Sequence, residues 1–168
     1  ASTASMEAKS ALARILREGA GGSLNLDRAA DLLAEAAEGG SVSAMYYYAR
    51  MFEIGQGTIG QDAEKASDWY KRSADADYPP ALNNLGAMYR DGRGVAKNTT
   101  RAMQLFDRAR ANRVPSAAYN LAWLLDVADG VGRNSKQSAQ YFLEALAYHD
   151  PRFVEALHAS GKLLSTET

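Results

Sequence analysis

The sequence contains no cysteine. Disulfide staples, thiolate zinc sites and cysteine nucleophiles are therefore excluded, while an oxidising and a reducing compartment suit it equally. Histidine is nearly as scarce, with only His149 and His158. The first falls in a turn beside Asp150-Pro151 and the second in a terminal helix. Adjacent His149 and Asp150 do not make a relay, because neighbouring side chains need not meet, and no third partner recommends itself. No catalytic residue, metal ligand or cofactor is expected. Charge of one sign is also lacking: 19 Lys and Arg stand against 20 Asp and Glu. Neither nucleic acid nor an anionic membrane is indicated as the main partner. No apolar run reaches the roughly 18 residues that a membrane helix needs. The opening ASTASMEAKS has neither the charged region nor the apolar core of a signal peptide. It looks like an arbitrary cut inside a longer chain or a cloning remnant, and the ending GKLLSTET also stops without an obvious boundary. The glycine run GAGG at 19–22 lacks the Lys-Ser/Thr ending and the preceding strand of a phosphate loop, and helix capping accounts for it better.

What the sequence does have is a period. Residues 85–95 read LGAMYRDGRGV. With Ala81 as anchor, Leu85, Gly86, Tyr89, Gly92 and Gly94 follow at fixed offsets. The offsets return as Tyr48, Ala49, Phe52, Gly55 and Gly57 after Ala44, and as Leu121, Ala122, Leu125, Ala128 and Gly130 after Ala117. They return again as Leu12, Ala13, Leu16, Gly19 and Gly21 after Ala8. Anchors at 8, 44, 81 and 117 are 36, 37 and 36 residues apart, a period in the range of helical repeat arrays. A further step lands on Phe153, with Leu157 beyond it. The second halves repeat too: Arg28-Ala29-Ala30 with Leu33, Lys65-Ala66 with Trp69-Tyr70, Arg101-Ala102 with Leu105-Phe106, and Ser138-Ala139 with Tyr141-Phe142.

In each half the apolar residues recur at i, i+4 and i+7 or i+8, a helical stripe rather than the alternation of a strand. The stretch between the halves is rich in glycine. Gly92 and Gly94 can take the positive φ that ends a helix without a Cβ clash. Asn25, Asp62, Asn98 and Asn134 then stand where an N-cap opens the second helix. Asn134 with Gln137 resembles a capping box, with Asn in the place of Ser or Thr. The Asn98-Thr99-Thr100 sequon is read as coincidence, since Asn98 is assigned to capping. Small residues at Ala49, Gly86 and Ala122 allow close helix approach, while Trp69, Phe106 and Phe142 fill the space between neighbouring pairs. The extra residue of the second unit is placed in its loop, GQGTIGQD, where an insertion costs least.

A lone pair of this size cannot bury both of its apolar faces, whereas stacked pairs can. The expected fold is all-α: a right-handed α-solenoid of about four helix pairs closed by a C-terminal capping helix, nine helices in all. Residues 1–7 form a tail or the start of the first helix. Residues 8–43, 44–80, 81–116 and 117–152 form the repeats, and 153–168 the cap. The first helix is expected to be exposed on one side.

The pattern A-x-x-x-LG-x-MY-x-x-G-x-GV, followed by A-x-x-W/L-Y/F, resembles the Sel1-like repeat, a relative of the tetratricopeptide repeat. Residues 81–116 match best, 44–80 and 117–152 clearly, and 8–43 more weakly. Ala13 and Ala122 replace the Gly, Leu16 and Leu125 the Tyr, and Ala128 the first loop Gly. The resemblance implies a non-catalytic scaffold or adaptor that binds a protein or peptide on a concave face lined by the first helix of each pair. Members occur in bacterial envelopes, in secreted effectors and in the endoplasmic reticulum. The simple repeats and short loops point to a bacterial source.

Four columns of residues are expected on that face. They run Ser10, Tyr46, Asn83, Tyr119; then Ala11, Tyr47, Asn84, Asn120; then Arg14, Arg50, Ala87, Trp123; then Arg17, Glu53, Arg90, Asp126. Aromatics, amides and arginines dominate interface energetics. The candidate partner-binding residues are therefore Tyr46, Tyr47, Arg50, Asn83, Asn84, Arg90, Tyr119, Asn120 and Trp123. Asn84 and Asn120 occupy positions where related peptide-binding arrays place an amide to hold a peptide backbone. The alternatives stay open: Tyr46, Tyr47 and Trp123 packing against adjacent helices, and Arg50 and Arg90 pairing with Glu53 or Asp91. Two other roles are compatible with the sequence, a structural or regulatory segment of a larger multidomain enzyme and self-association.

Overall fold

The computed structural model describes residues 3–19, 24–127 and 132–148. They form eight helices: α1 (Thr3–Glu18), α2 (Leu26–Glu38), α3 (Val42–Ile54), α4 (Ala63–Asp75), α5 (Pro79–Asp91), α6 (Thr99–Ala111), α7 (Pro115–Val127) and α8 (Ser135–Ala147). No strand occurs among the described residues. The expected ninth helix over 153–168, both histidines, and Gly21, Ala128 and Gly130 lie outside the described residues. The helices fall into two compact units, Ala1–Asn98 and Thr99–Thr168.

Each helix pair is closed by the same hydrogen bond. The backbone N–H of the residue before the second helix donates to a carbonyl eight residues past the anchor. Asn25 reaches Leu16 at 3.0 Å, Asp62 reaches Phe52 at 2.9 Å, Asn98 reaches Tyr89 at 2.8 Å and Asn134 reaches Leu125 at 3.1 Å. The loop between Ile54 and Ala63 has one residue more than the loop between Asp91 and Thr99, so the insertion sits inside this closed loop and leaves its ends in register. Side-chain caps form at Asn25, Asp62 and Asn134, which accept from the N–H of Arg28, Lys65 and Gln137 at 2.9, 2.9 and 3.1 Å. At Asn134 the Gln137 side chain meets the Asn134 side chain rather than its backbone, so the capping box is only half made.

The glycines of the loops serve two different purposes. Gly55 and Gly92 adopt φ of 70° and donate back to the carbonyls of Met51 and Met88, ending the helix in the left-handed conformation that a Cβ disfavours. Gly57 and Gly94, both at φ 66°, also sit where there is no room for a side chain. A Cβ on Gly57 would lie 2.9 Å from the Cβ of Leu26 and 2.8 Å from Oδ1 of Asp27. A Cβ on Gly94 would overlap the carbonyl of Ala63 and come within 2.9 Å of the Glu64 nitrogen. Each loop thus packs against the first turn of the second helix of the preceding repeat. Thr58 N–H donates to Asp27 and the Ser67 hydroxyl to the Gly94 carbonyl, which fixes the contact.

The turns between repeats share a second device. Gly40, Asp77 and Arg113, each four residues before an anchor, have φ of 91°, 56° and 58°. The next residue donates five positions back: Ser41 to Ala36, Tyr78 to Ser73, Val114 to Ala109. This is the Schellman arrangement. The asparagine-like tolerance of Asp for this region explains Asp77, while Arg113 is held there against its preference.

In the first unit Met6, Ala13, Ala29, Leu33, Ala36, Ala44 and Met51 are buried together. Leu16, Tyr48 and Trp69 pack against that cluster. In the second unit Ala102, Phe106, Ala109, Ala118, Leu121, Ala122 and Leu124 are buried. The small residues Ala49, Gly86 and Ala122 are all buried, as close helix approach requires. Of the three expected fillers, Phe106 is wholly buried. Trp69 meets Tyr48 edge-on at 5.4 Å, with the Arg72 guanidinium over its ring, and Phe142 meets Tyr119. The outer side of α1 is open, with Leu12 and Ile15 exposed.

Candidate functional site

In the first unit, the faces of α1 and α3 and the entry to α5 bring together a cluster of tyrosines. Tyr46 is at its centre, with ring centroids 5.1 Å from Tyr47, 5.8 Å from Tyr70 and 5.4 Å from Tyr78. Tyr46 and Tyr47 are half-buried, so they serve both as packing and as surface. Tyr70 is fully buried beneath them. Its hydroxyl donates to Glu53 Oε2 at 2.7 Å and accepts from Asn84 Nδ2 at 3.0 Å. Burial, and then the hydrogen bond to Glu53, push the Tyr70 phenol far above its ordinary range. Burial likewise raises Tyr78.

Asn84 is therefore committed in part: its amide nitrogen serves Tyr70 and its oxygen accepts from Asn83 at 3.5 Å. One N–H and one lone pair of the amide remain. Arg90 pairs with Asp91 at 2.6 Å, as its alternative reading expected. That contact holds the Asp91 carboxyl below the usual carboxylate range. The pair expected between Arg50 and Glu53 does not form. Both oxygens of Glu53 are taken, one by Tyr70 and the other by Arg93 at 2.9 Å. Arg50 is half-buried, and neither it nor Arg14 makes a hydrogen bond or ion pair among the described residues.

A small pocket of about 180 Å³ opens on this face, lined by Glu7, Ser10, Arg14, Ser43, Tyr47 and Tyr78. One end is closed by a polar chain: the hydroxyls of Ser10 and Ser43 lie 2.9 Å apart, and Ser43 donates to Glu7 at 2.8 Å. Arg17 lies 4.7 Å over the ring of Tyr47, a cation–π contact. Tyr78 was in none of the expected columns. It precedes Pro79-Pro80 and occupies the N-cap of α5 without a capping side chain; a large aromatic at a capping position was the available signal.

The second unit carries a different surface. Tyr119 and Trp123 of α7 are 54% and 37% exposed, and Asn120 is half-buried. Tyr119 meets Phe142 of α8 at 5.5 Å, nearly edge-on. A cleft of about 600 Å³ lies here, lined by Pro115, Ser116, Tyr119, Phe142, Ala145 and Leu146, and almost wholly apolar. Among the described residues there is no group of three side chains able to hold a metal, and no helix long and apolar enough to cross a membrane.

The helix–glycine–helix unit with its recurring closing bond is matched by the Sel1 repeat model in four copies, over residues 7–41, 42–78, 79–112 and 115–147. The chain belongs to the Sel1 repeat family. Sel1 repeats are non-catalytic scaffold units that generally mediate protein interactions. Among solved structures, a protective antigen of uropathogenic Escherichia coli with this repeat fold is 28% identical, with a TM-score of 0.79 over 84% of this chain and 30% of that one. A Sel1 repeat protein from Oxalobacter formigenes shares the fold at 24% identity, with a TM-score of 0.80 over 86% of this chain and 57% of the other. The all-α repeat-solenoid class expected from the period is thus the class of its structural relatives. Among curated proteins, a chitin synthase regulator of Saccharomyces cerevisiae is 27% identical over 78% of this chain and 19% of its own length. A component of an ERAD-associated E3 ubiquitin-protein ligase of Arabidopsis thaliana is 31% identical over 61% of this chain and 16% of its own. The chain spans less than a fifth of either of these two relatives.

Proposed function

We propose that this Sel1 segment is a non-catalytic interaction module whose first helices engage a peptide or partner protein, in the first unit across the α1–α3 face. The observation that carries the reading is the state of that face. It has half-buried tyrosines around a pocket the size of one side chain. On the same helices are Arg14, which lines the pocket, and Arg50, neither of them in a hydrogen bond or ion pair among the described residues. Aromatics fixed by their neighbours offer contact area at small entropic cost, and arginine offers directed donors. Tyr46, Tyr47 and Arg50 are the contacts of the first unit, with Asn83, Asn84 and Arg90 at its margin. Tyr119, Asn120 and Trp123 form a separate contact surface on the second.

The test is affinity capture with the whole chain as bait, beside Tyr47→Ala and Trp123→Ala variants shown by circular dichroism to remain helical. A partner kept by the native chain and lost by one variant places the site on that variant's unit. A partner kept by both variants moves the site off these faces. A second reading, a structural or regulatory segment within a larger protein, is supported by the much greater length of the relatives. Absence of any partner in trans, with capture restored by flanking chain in cis, would favour it.

A further inference from the structure

The chemistry of the α1–α3 face narrows what can occupy it, given the docking role proposed above. The chain as a whole carries a net charge of −1, yet this face is locally basic. Arg14 and Arg50 stand at the same repeat position on α1 and α3, and Arg17 lies over Tyr47. Two of the nearby acidic groups are engaged by arginines, Glu53 by Arg93 and Asp91 by Arg90. Glu7, in the pocket lining, accepts only from the Ser43 hydroxyl and keeps its charge. Arg17 has one weak contact, 3.6 Å to Glu18, and its side chain is 9% exposed. Arg14 is exposed and Arg50 half-buried; the guanidinium of Arg50 keeps five donors and has lost part of its hydration. An arriving carboxylate restores what burial removed, and a bidentate pair is the strongest form of that contact. The pocket that Arg14 helps to line has mixed walls, the rings of Tyr47 and Tyr78 and the methyl of Ala11 on one hand and Glu7, Ser10 and Ser43 on the other, with room for one side chain.

We propose that this face binds an extended acidic peptide, with its carboxylate held by Arg14 and Arg50 and its neighbouring apolar side chain seated between Tyr47 and Tyr78. The polar chain from Ser10 through Ser43 to Glu7 closes one end of the pocket. Its negative charge there sets direction, since the acidic group is repelled from Glu7 and drawn to the arginines.

The test uses the whole chain and three fluorescein-labelled octapeptides: alternating Glu and Leu, alternating Gln and Leu, and alternating Lys and Leu. Binding is read by fluorescence anisotropy at low and high salt. The Glu peptide should bind at least about tenfold more tightly than its Gln isostere, and the Lys peptide least of all. The advantage of Glu over Gln should shrink as salt screens it, and should vanish in an Arg14→Gln/Arg50→Gln variant that keeps native helicity. If Glu and Gln peptides bind equally and Tyr47→Ala abolishes both, the face docks peptides but the acidic occupant is wrong. If none of the three binds at millimolar concentration, or if binding survives both the arginine and the Tyr47 variants, the acidic occupant is overturned together with the assignment of docking to this face.

Discussion

Replacing Gly94 by alanine should be among the most damaging single-methyl changes available in this chain, and the structure says why in two parts. At φ 66° an L-residue sits in the left-handed region at a cost of about 1–2 kcal/mol. The new methyl would also overlap the backbone carbonyl of Ala63. A backbone obstacle cannot rotate away, so the loop must lift from α4. Overpacking of this kind costs about 1–3 kcal/mol more. Gly92→Ala is the control. It has a similar positive φ of 70°, but its methyl would meet Lys97 only, 3.3 Å from the Cβ and 3.6 Å from the nitrogen, so a shift of the loop by a few tenths of an ångström makes room. Gly94→Ala should therefore cost about 2–5 kcal/mol, against about 1–2 kcal/mol for Gly92→Ala. Gly57→Ala should fall between them, because one of its two close contacts is the movable Asp27 carboxylate. Urea unfolding followed by the helical signal at 222 nm reads all three. Equal losses for Gly94→Ala and Gly92→Ala would refute the idea that the second loop glycine is a packing requirement between repeats.

Three further outcomes are expected. Arg113→Gly should stabilise by about 0.5–1 kcal/mol by relieving a left-handed arginine, and an unchanged or lower melting temperature would contradict the Schellman assignment of that turn. Tyr70→Phe removes a buried hydroxyl bonded to both Glu53 and Asn84 and should cost about 1–2 kcal/mol; a neutral result in urea unfolding would mean that the network adds nothing. The Asp91 carboxyl is held below the ordinary aspartate range in the folded state, first because of its hydrogen bond with Arg90. Its contribution is complete above about pH 4 and disappears as the pH falls through the depressed folded value. Asp91→Asn should flatten the acid side of the stability profile, and an unaltered slope would exclude this carboxylate from it.

Much of the fold was legible because a repeat states the same rule four times. The stripe of small and aliphatic residues, the caps at Asn25, Asp62 and Asn134, and the left-handed exits at Gly55 and Gly92 are local matters, set by nearest neighbours in the chain. The candidate face was less legible. The columns reached Tyr46, Tyr47 and Arg50, but a single position in a column does not say which residue of the next element it meets. Tyr78 belongs to no column and still completes the pocket. Arg50 and Glu53 are spaced as a helical ion pair, yet Glu53 turns instead to Tyr70 and to Arg93, forty residues on.

The sequence by itself determined that this protein is built from repeated helix pairs, that second helices open after Asn25, Asp62 and Asn134, and that paired glycines recur at 55 and 57 and at 92 and 94. Only tertiary structure decided why the second glycine is obligatory, which turns take the left-handed conformation at Asp77 and Arg113, and which charges are left unspent. The physical reason is one of range. Capping and periodicity act over three or four residues of one chain segment. A missing Cβ at Gly94, or a guanidinium without a carboxylate at Arg50, has meaning only once residues tens of positions apart have been packed against each other.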